Sequence, residues 1–240
     1  MSAERRTIPS LRFVVRTWNV FHGNTFPPGR HAFLEEMLDV VCHDRPDVVC
    51  LQELPVWGLA HLEKWSGMQA IQVVARTPRV PGRLGRFLTL LHHGFFRSAF
   101  VGQANAILVA AGLGAEDLGW TRISDSGREP RAAQAVRIDD GLLVANFHAS
   151  TDLVAARTEL ERVRVFAEEL ARPGEAVCLA GDFNLVSPQV EGYSEPTPGI
   201  DHVLVRGAAV SAPLVWPPER RERSGRLLSD HAPVEVTIDG

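Results

Sequence analysis

The sequence predicts an α/β fold built as a four-layer sandwich, with two mixed β-sheets packed face to face and helices outside. Three observations carry that prediction. Two strand-helix-strand units of similar size recur, one with strand ends at Asn19 and Glu53, the other with strand ends at Asn146 and Asp182. Further short β-rich segments, separated by Gly and Pro, are too many for one sheet of ordinary width, and few long helical patterns accompany them. The 240 residues contain no linker or low-complexity segment, so they read as one domain, residues 1–240, with residues 1–10 a flexible N-terminus.

Taken in order, Leu11, Phe13, Val15 and Thr17 alternate at strand spacing, and that strand ends at Trp18-Asn19. Phe33, Leu34, Met37, Leu38 and Val41 then follow helical spacing until Pro46 stops the helix. The apolar run Val48-Val49-Cys50-Leu51 is a buried strand closed by Gln52-Glu53. In the second unit, Leu142 to Ala145 leads into a helix with Leu153, Ala156, Leu160, Val163, Ala167 and Leu170 on one stripe, and Ala176 to Ala180 ends in Gly181-Asp182-Phe183-Asn184. Right-handed crossovers join parallel strands, so both strand ends of each unit reach the same sheet edge. Other strands are expected at 70–74, 106–110, 133–138, 203–205, 210–215 and 234–238.

Composition narrows the class. Hydrophobic residues make up 45% and charged residues 22%, which excludes a disordered or fibrous chain, and 25 basic against 29 acidic residues leave a net charge of -4. Cys42, Cys50 and Cys178 lie in apolar runs and read as buried thiols, not a disulfide framework. With no leader-like segment and no apolar run of ~18 residues, a cytoplasmic protein is expected.

Polar residues gather where the strands stop or start: Asn19, Glu53, Asn146, His148, Asp182, Asn184, Asp201, Asp230 and His231. A lone carboxylate or amide after a strand is usually a turn former or helix cap. Several together are different, because Glu53, Asp182 and Asp230 border apolar segments and would repel one another without a bound cation. Hard oxygen ligands of this kind suit Mg²⁺ or Mn²⁺.

The blocks Thr17-Trp18-Asn19-Val20, Leu51-Gln52-Glu53, Gly102-Gln103-Ala104-Asn105-Ala106, Asn146-Phe147-His148, Gly181-Asp182-Phe183-Asn184, Ile200-Asp201-His202-Val203 and Ser229-Asp230-His231-Ala232-Pro233 together resemble the endonuclease/exonuclease/phosphatase family, the DNase I-like phosphoesterases. The resemblance covers nearly the whole chain. It implies the DNase I-like fold, with Asn19, Glu53 and Asp230 holding the catalytic metal. It implies catalytic roles for His148, Asp182, Asn184, Asp201 and His231, with Asp201 orienting His231. It also places Asn105, Arg131 and Asn146 toward the substrate. Whether Asp182 or His231 is the general base stays open, and His22, His92, His93 and His202 are ambiguous between structural and site roles.

Phe21 and Pro55 stand where abasic-site enzymes of the family carry aspartate and lysine, and no arginine-rich inositol-phosphate pocket is evident. Residues 64–115 contain no acid and carry a formal charge of +6, leaving -10 on the remainder, which fits a face that meets a polyanion. A second basic cluster, Arg220, Arg221, Arg223 and Arg226, precedes Asp230. Leu84, Phe87, Leu88, Leu91 and Phe95 form a helical stripe, for which packing on the protein's own core is the economical reading and a lipid surface the alternative. The expected function is therefore a DNase-like metal-dependent phosphodiesterase acting on nucleic acid, ahead of a sphingomyelinase-like phospholipid phosphodiesterase or a small-substrate phosphatase. No obligate protein partner is indicated. A non-catalytic phosphate-binding module is disfavoured because every main site position holds a chemically competent residue.

Overall fold

The computed structural model describes residues 12–29, 31–91, 100–139 and 141–239. Its elements are β1 (Arg12–Asn19), β2 (Thr25–Phe26), α1 (Leu34–Cys42), β3 (Val48–Leu54), α2 (Leu62–Ser66), β4 (Gln69–Arg76), α3 (Gly82–Leu91), β5 (Gln103–Val109) and β6 (Ala115–Arg122). They continue with β7 (Ala132–Ile138), β8 (Leu142–His148), α4 (Leu153–Leu170), β9 (Ala176–Asp182), β10 (Asp201–Arg206), β11 (Ala209–Val210), β12 (Leu214–Val215), β13 (Glu222–Arg223), β14 (Arg226–Leu228) and β15 (Val234–Asp239).

One sheet runs β11-β15-β1-β3-β5-β4, with β12 also on β15, and the other runs β10-β9-β8-β7-β6. A small third sheet joins β13, β14 and β2. Both crossover units pair their strands in parallel, β1 with β3 and β8 with β9, as the spacing requires.

Three apolar clusters account for the layers. Phe13, Val15, Cys50, Ile107, Val136, Val144, Cys178 and Val236 fill the space between the sheets. Leu34, Met37, Leu38 and Val41 of α1 pack with Leu62 on the outer face of the first sheet, against Val49, Leu51 and Leu108. Ala156, Leu160, Val163 and Ala167 of α4 cover the second sheet at Leu143, Ala145, Val177 and Leu179. Strands buried on both faces read as continuous apolar runs, which is why β3, β8 and β9 show little alternation. The three cysteines are free and buried.

The structure departs from expectation at the edges. Strand β6 has no apolar alternation because it is a solvent-exposed edge, and the segment expected at 210–215 is two short strands with a break between them. Leu84 and Phe87 of α3 are 46% and 53% exposed, so core packing does not hold for these two residues. Among the described residues Gly85 is the buried position of the helix, where an added Cβ would lie 3.5 Å from Val101 and 3.8 Å from Trp57. The expected flexible residues 1–10, together with His92, His93, Phe95 and Arg97, lie outside the described residues.

Candidate active site

The registers bring the polar strand ends to one rim. Asn19 lies opposite Gln52, His148 opposite Asp182, and Asp182 opposite Asp201, while β15 begins beside Thr17 and β5 beside Leu54. The Asp230-His231 turn is docked on the end of β1 by the Ser229 hydroxyl, which donates to the Asn19 carbonyl at 2.6 Å and accepts from the His231 N–H at 3.1 Å. Trp18 Nε1 donates to the His231 carbonyl at 3.0 Å. Only glycine fits at 181, since a Cβ there would sit 2.0 Å from the Phe147 carbonyl oxygen, so β9 can press on β8 just before Asp182. Behind His148, Asp152 caps α4 through the Ala155 N–H at 2.8 Å, and buried Glu159 accepts from both the backbone N–H and the hydroxyl of Ser150.

Backbone strain concentrates here. Phe21, His22, Glu53, Asn184 and Ser229 all have left-handed φ values between 45° and 63° without being glycine. Each costs of order 1 kcal/mol, a cost that persists only where surrounding structure holds it.

Asp182 is the hub. Its Oδ2 accepts from Asn19 Nδ2 at 3.0 Å and lies 3.5 Å from His148 Nε2 and 3.9 Å from His231 Nε2, while its Oδ1 accepts from the Asn184 N–H at 3.0 Å. Burial, then the charge of Asp201, raises its pKa, against the opposing pull of His231 and Asn19. His231 Nδ1 meets Asp201 Oδ2 at 2.7 Å. Burial alone would lower this imidazole, but Asp201, with Asp182 and Asp230 adding, outweighs it and pushes His231 up to about 9. His231 is therefore an imidazolium at neutral pH.

His148 differs. Its Nδ1 receives Arg131 Nη1 at 3.0 Å and Gln103 Nε2 at 2.9 Å. A guanidinium can only donate, so Nδ1 must present its lone pair and the ring proton sits on Nε2, facing Asp182. Burial, with the Arg131 charge adding, holds the pKa well below 6.5, so His148 is a neutral hydrogen-bond donor. Arg131 also reaches Glu129 at 3.4 Å, and Glu129 pairs with Arg76 at 3.2 Å.

The remaining assignments divide. Asn184 Nδ2 donates to the Ala149 carbonyl at 2.9 Å, leaving its Oδ1 for other contacts. Asn146 is not a substrate contact: it is wholly buried, its Nδ2 donates to the Leu51 and Ala106 carbonyls, and its Oδ1 accepts from Gln52. It fastens one sheet to the other beneath the site. Asn105 is likewise buried and spends one of its two amide hydrogens on the Ala132 carbonyl across the sandwich. Arg131 stays at the site but is turned onto His148. His202 is structural, since it is buried, bonds the Leu185 carbonyl at 2.8 Å, and packs edge-on against Phe183.

Sequence reasoning assigned no role to Gln52, Gln103 or Ser229 and left His22 undecided. The signal for Gln103 and Ser229 was their place inside recognised blocks. His22 offered only its position three residues beyond Asn19.

A cation fits the donor set. Among the described residues, no lysine or arginine pairs with Glu53, Asp182, Asp201 or Asp230. Partial burial, with the Glu53 charge adding, raises the Asp230 pKa against the pull of His231. The set that the resemblance names for the ion, Glu53, Asp230 and the Asn19 amide oxygen, lies along the same rim, although Asn19 Oδ1 already accepts from the Phe21 N–H at 3.0 Å. Asp182, Asp201 and His231, with ligand atoms within 4.8 Å of one another, form a second.

The endonuclease/exonuclease/phosphatase family model matches residues 17–231, which contains both groups and every catalytic side chain above. The chain belongs to the endonuclease/exonuclease/phosphatase family. It shares the fold of a functionally unknown conserved protein from Enterococcus faecalis V583, at 16% identity and a TM-score of 0.70, covering 95% of this chain and 99% of that one. TDP2 from Caenorhabditis elegans is similar at 18% identity and a TM-score of 0.65, covering 96% of this chain and 75% of that one. A mannosyl-6-phosphatase from Bacteroides thetaiotaomicron VPI-5482 is similar at 18% identity and a TM-score of 0.64, covering 94% and 99%. No curated protein sequence matches. Family membership makes the chain a hydrolase of the phosphoesterase class, and this family generally uses divalent metals. No described helix is long and apolar enough to cross a membrane.

Proposed function

We propose that this family member is a divalent-metal-dependent phosphodiesterase whose substrate is nucleic acid. The observation that carries the chemistry is a single buried carboxylate, Asp182, standing between a neutral imidazole donor and an imidazolium. A cation, Mg²⁺ or Mn²⁺, held by Glu53 with Asp230 and Asn19 would neutralise charge building on the phosphate oxygens. His231, already protonated, cannot accept the proton of an attacking water, so the base is Asp182, whose raised pKa suits it to that role near neutral pH. His231 donates to a phosphate oxygen or the leaving oxygen, and Asp201 keeps it charged. His148 donates through Nε2–H to a phosphate oxygen without transferring its proton. Asn184 helps fix the substrate beside Asp182.

Nucleic acid is favoured by the charge partition between residues 64–115 and the rest, with Arg79 exposed just before α3 and Arg83 exposed in its first turn. One observation favours a second reading, a phospholipid phosphodiesterase: Leu84 and Phe87 are exposed on that same helix, and Phe100 is exposed nearby in sequence. Turnover of DNA, sphingomyelin vesicles and bis-nitrophenyl phosphate by wild type and Arg79→Gln/Arg83→Gln decides between them. The nucleic-acid reading expects the variant to lose far more activity on DNA than on bis-nitrophenyl phosphate, with a shallower salt dependence. Equal retention on both, with tight vesicle binding by wild type, would transfer the assignment to lipid.

A further inference from the structure

Past His148, on the side of the ring away from Asp182, two arginines from opposite sheets share one carboxylate. Arg76, at the end of β4, donates from Nη1 to Glu129 Oε1 at 3.2 Å, and Arg131, just before β7, donates from Nη2 to Glu129 Oε2 at 3.4 Å. Both bonds are long, since charge-assisted hydrogen bonds run about 2.7–2.9 Å. Glu129 lies in the loop between β6 and β7 with its side chain 39% exposed, so water competes for it and the two pairs hold it weakly.

Arg131 has donor capacity that Glu129 leaves unused. The Nε and Nη2 hydrogens of a guanidinium point the same way and form the fork that takes two oxygens of one carboxylate or phosphate. Arg137 uses both arms of its fork on Glu175. In Arg131 only Nη2 reaches Glu129, and Nε is buried with no hydrogen-bond partner among the described residues. Its Nη1 is held by His148 Nδ1 at 3.0 Å, which fixes the direction of the fork. Arg76 stands alongside because it lies opposite Gln103 in the β4–β5 register, and Gln103 donates to the same His148 nitrogen.

We propose that Arg76 and Arg131 form a second phosphate subsite, for the phosphate next to the scissile one, and that Glu129 is its resident competitor, displaced when substrate binds. A phosphodiester carries the same single charge as the carboxylate, yet, not being tied to the loop, it can fill both arms of the Arg131 fork and still meet Arg76. The bond from Nη1 to His148 stays in place during the exchange. A strand cleaved beside Asp182 and extending past His148 presents its next phosphate there. The choice of a flanking phosphodiester as occupant rests on the nucleic-acid reading above.

The test is a titration with inorganic phosphate, followed by NMR at the Nε–H signals of Arg76 and Arg131, joined to kinetics on the thymidine dinucleotides TpT, pTpT and TpTp. Phosphate should shift both signals in wild type. It should bind about fivefold more tightly to Glu129→Gln, and about tenfold more weakly to Arg76→Gln when read at Arg131. Wild type should prefer pTpT or TpTp to TpT, and that ratio of kcat/KM should rise about fivefold in Glu129→Gln and fall about tenfold in Arg76→Gln, with the change in KM. Should Glu129→Gln fail to fold, Arg76→Gln decides by the same readings. Phosphate that leaves the Arg76 signal unmoved, or binds the variants and wild type alike, overturns the subsite, as does a substrate ratio that the substitutions leave unchanged. If bis-nitrophenyl phosphate is hydrolysed and no dinucleotide is, the nucleic-acid reading fails separately and the phosphate titration alone decides the subsite.

Discussion

The two crossover units end differently although they are built alike. The first, β1–α1–β3, delivers Asn19, His22 and Glu53 to a partly open corner where the Glu53 side chain is 20% exposed. The second, β8–α4–β9, delivers His148 and Asp182 to a sealed cluster where the Asp182 side chain is 2% exposed. Exposure leaves a carboxylate reachable, which suits a ligand. Burial beside fixed hydrogen bonds raises the pKa, which suits a proton acceptor. The first unit is thus read as the metal corner and the second as the proton-handling corner, and each experiment below sharpens or breaks that division.

The largest effect is expected at the proton-handling hub. Asp182→Asn keeps the shape and the bond from Asn184 but removes the base, so kcat should fall on the order of 10²–10⁴-fold with the fold intact by circular dichroism. Near-normal kcat would dissolve the division, because the buried unit would then contribute structure alone.

A smaller and more selective effect is expected at His148. If it donates a hydrogen bond and never its proton, His148→Asn, which can still donate, should retain most of the activity that His148→Ala loses. Equal loss in both variants would mean that a proton does leave this ring, and that the Arg131–Gln103 pair does not set its state.

The smallest effect is on stability, read in metal-free protein. The folded pKa of His231 is raised from 6.5 to about 9. Its pairing with Asp201 therefore stabilises the fold fully below about pH 6.5, and that contribution is lost as pH rises through about 9. Urea unfolding of wild type and Asp201→Asn should show a gap of order 1–3 kcal/mol near pH 6 that shrinks toward pH 10. A gap that is flat or widens with pH would show that Asp201 acts through packing and not through the imidazolium.

Much of this was legible in the sequence, and the failures share a physical cause. Alternation and helical stripes located β1, α1, β3, β8, α4 and β9, because buried faces leave a periodic signature. The strands run further than their apolar cores suggested, since β8 continues through Asn146 and His148 and β5 begins at Gln103 and Asn105. Polar residues paired inside a sheet look like loop in a hydropathy pattern. Edge strand β6 and the small β2–β13–β14 sheet left no pattern because they bury little. Asn146 carried the right chemistry at a plausible position, yet both its amide hydrogens are spent on the Leu51 and Ala106 carbonyls, and only three-dimensional hydrogen-bond partners reveal that. The same holds for Arg131, whose use on His148 depends on a contact between the start of β7 and the end of β8 that no local spacing encodes. His22 meets Glu53 at 3.3 Å only because the turn after β1 places it there.

The division between the two corners is tested most directly by the metal dependence of hydrolysis in wild type and Glu53→Ala. Both proteins would be stripped of metal, checked for folding, and assayed on bis-nitrophenyl phosphate as Mn²⁺ or Mg²⁺ is returned. The account predicts no turnover in stripped wild type, recovery on addition of metal, and no recovery in folded Glu53→Ala. Undiminished hydrolysis by fully demetallated wild type, or metal-restored activity in Glu53→Ala, would contradict it.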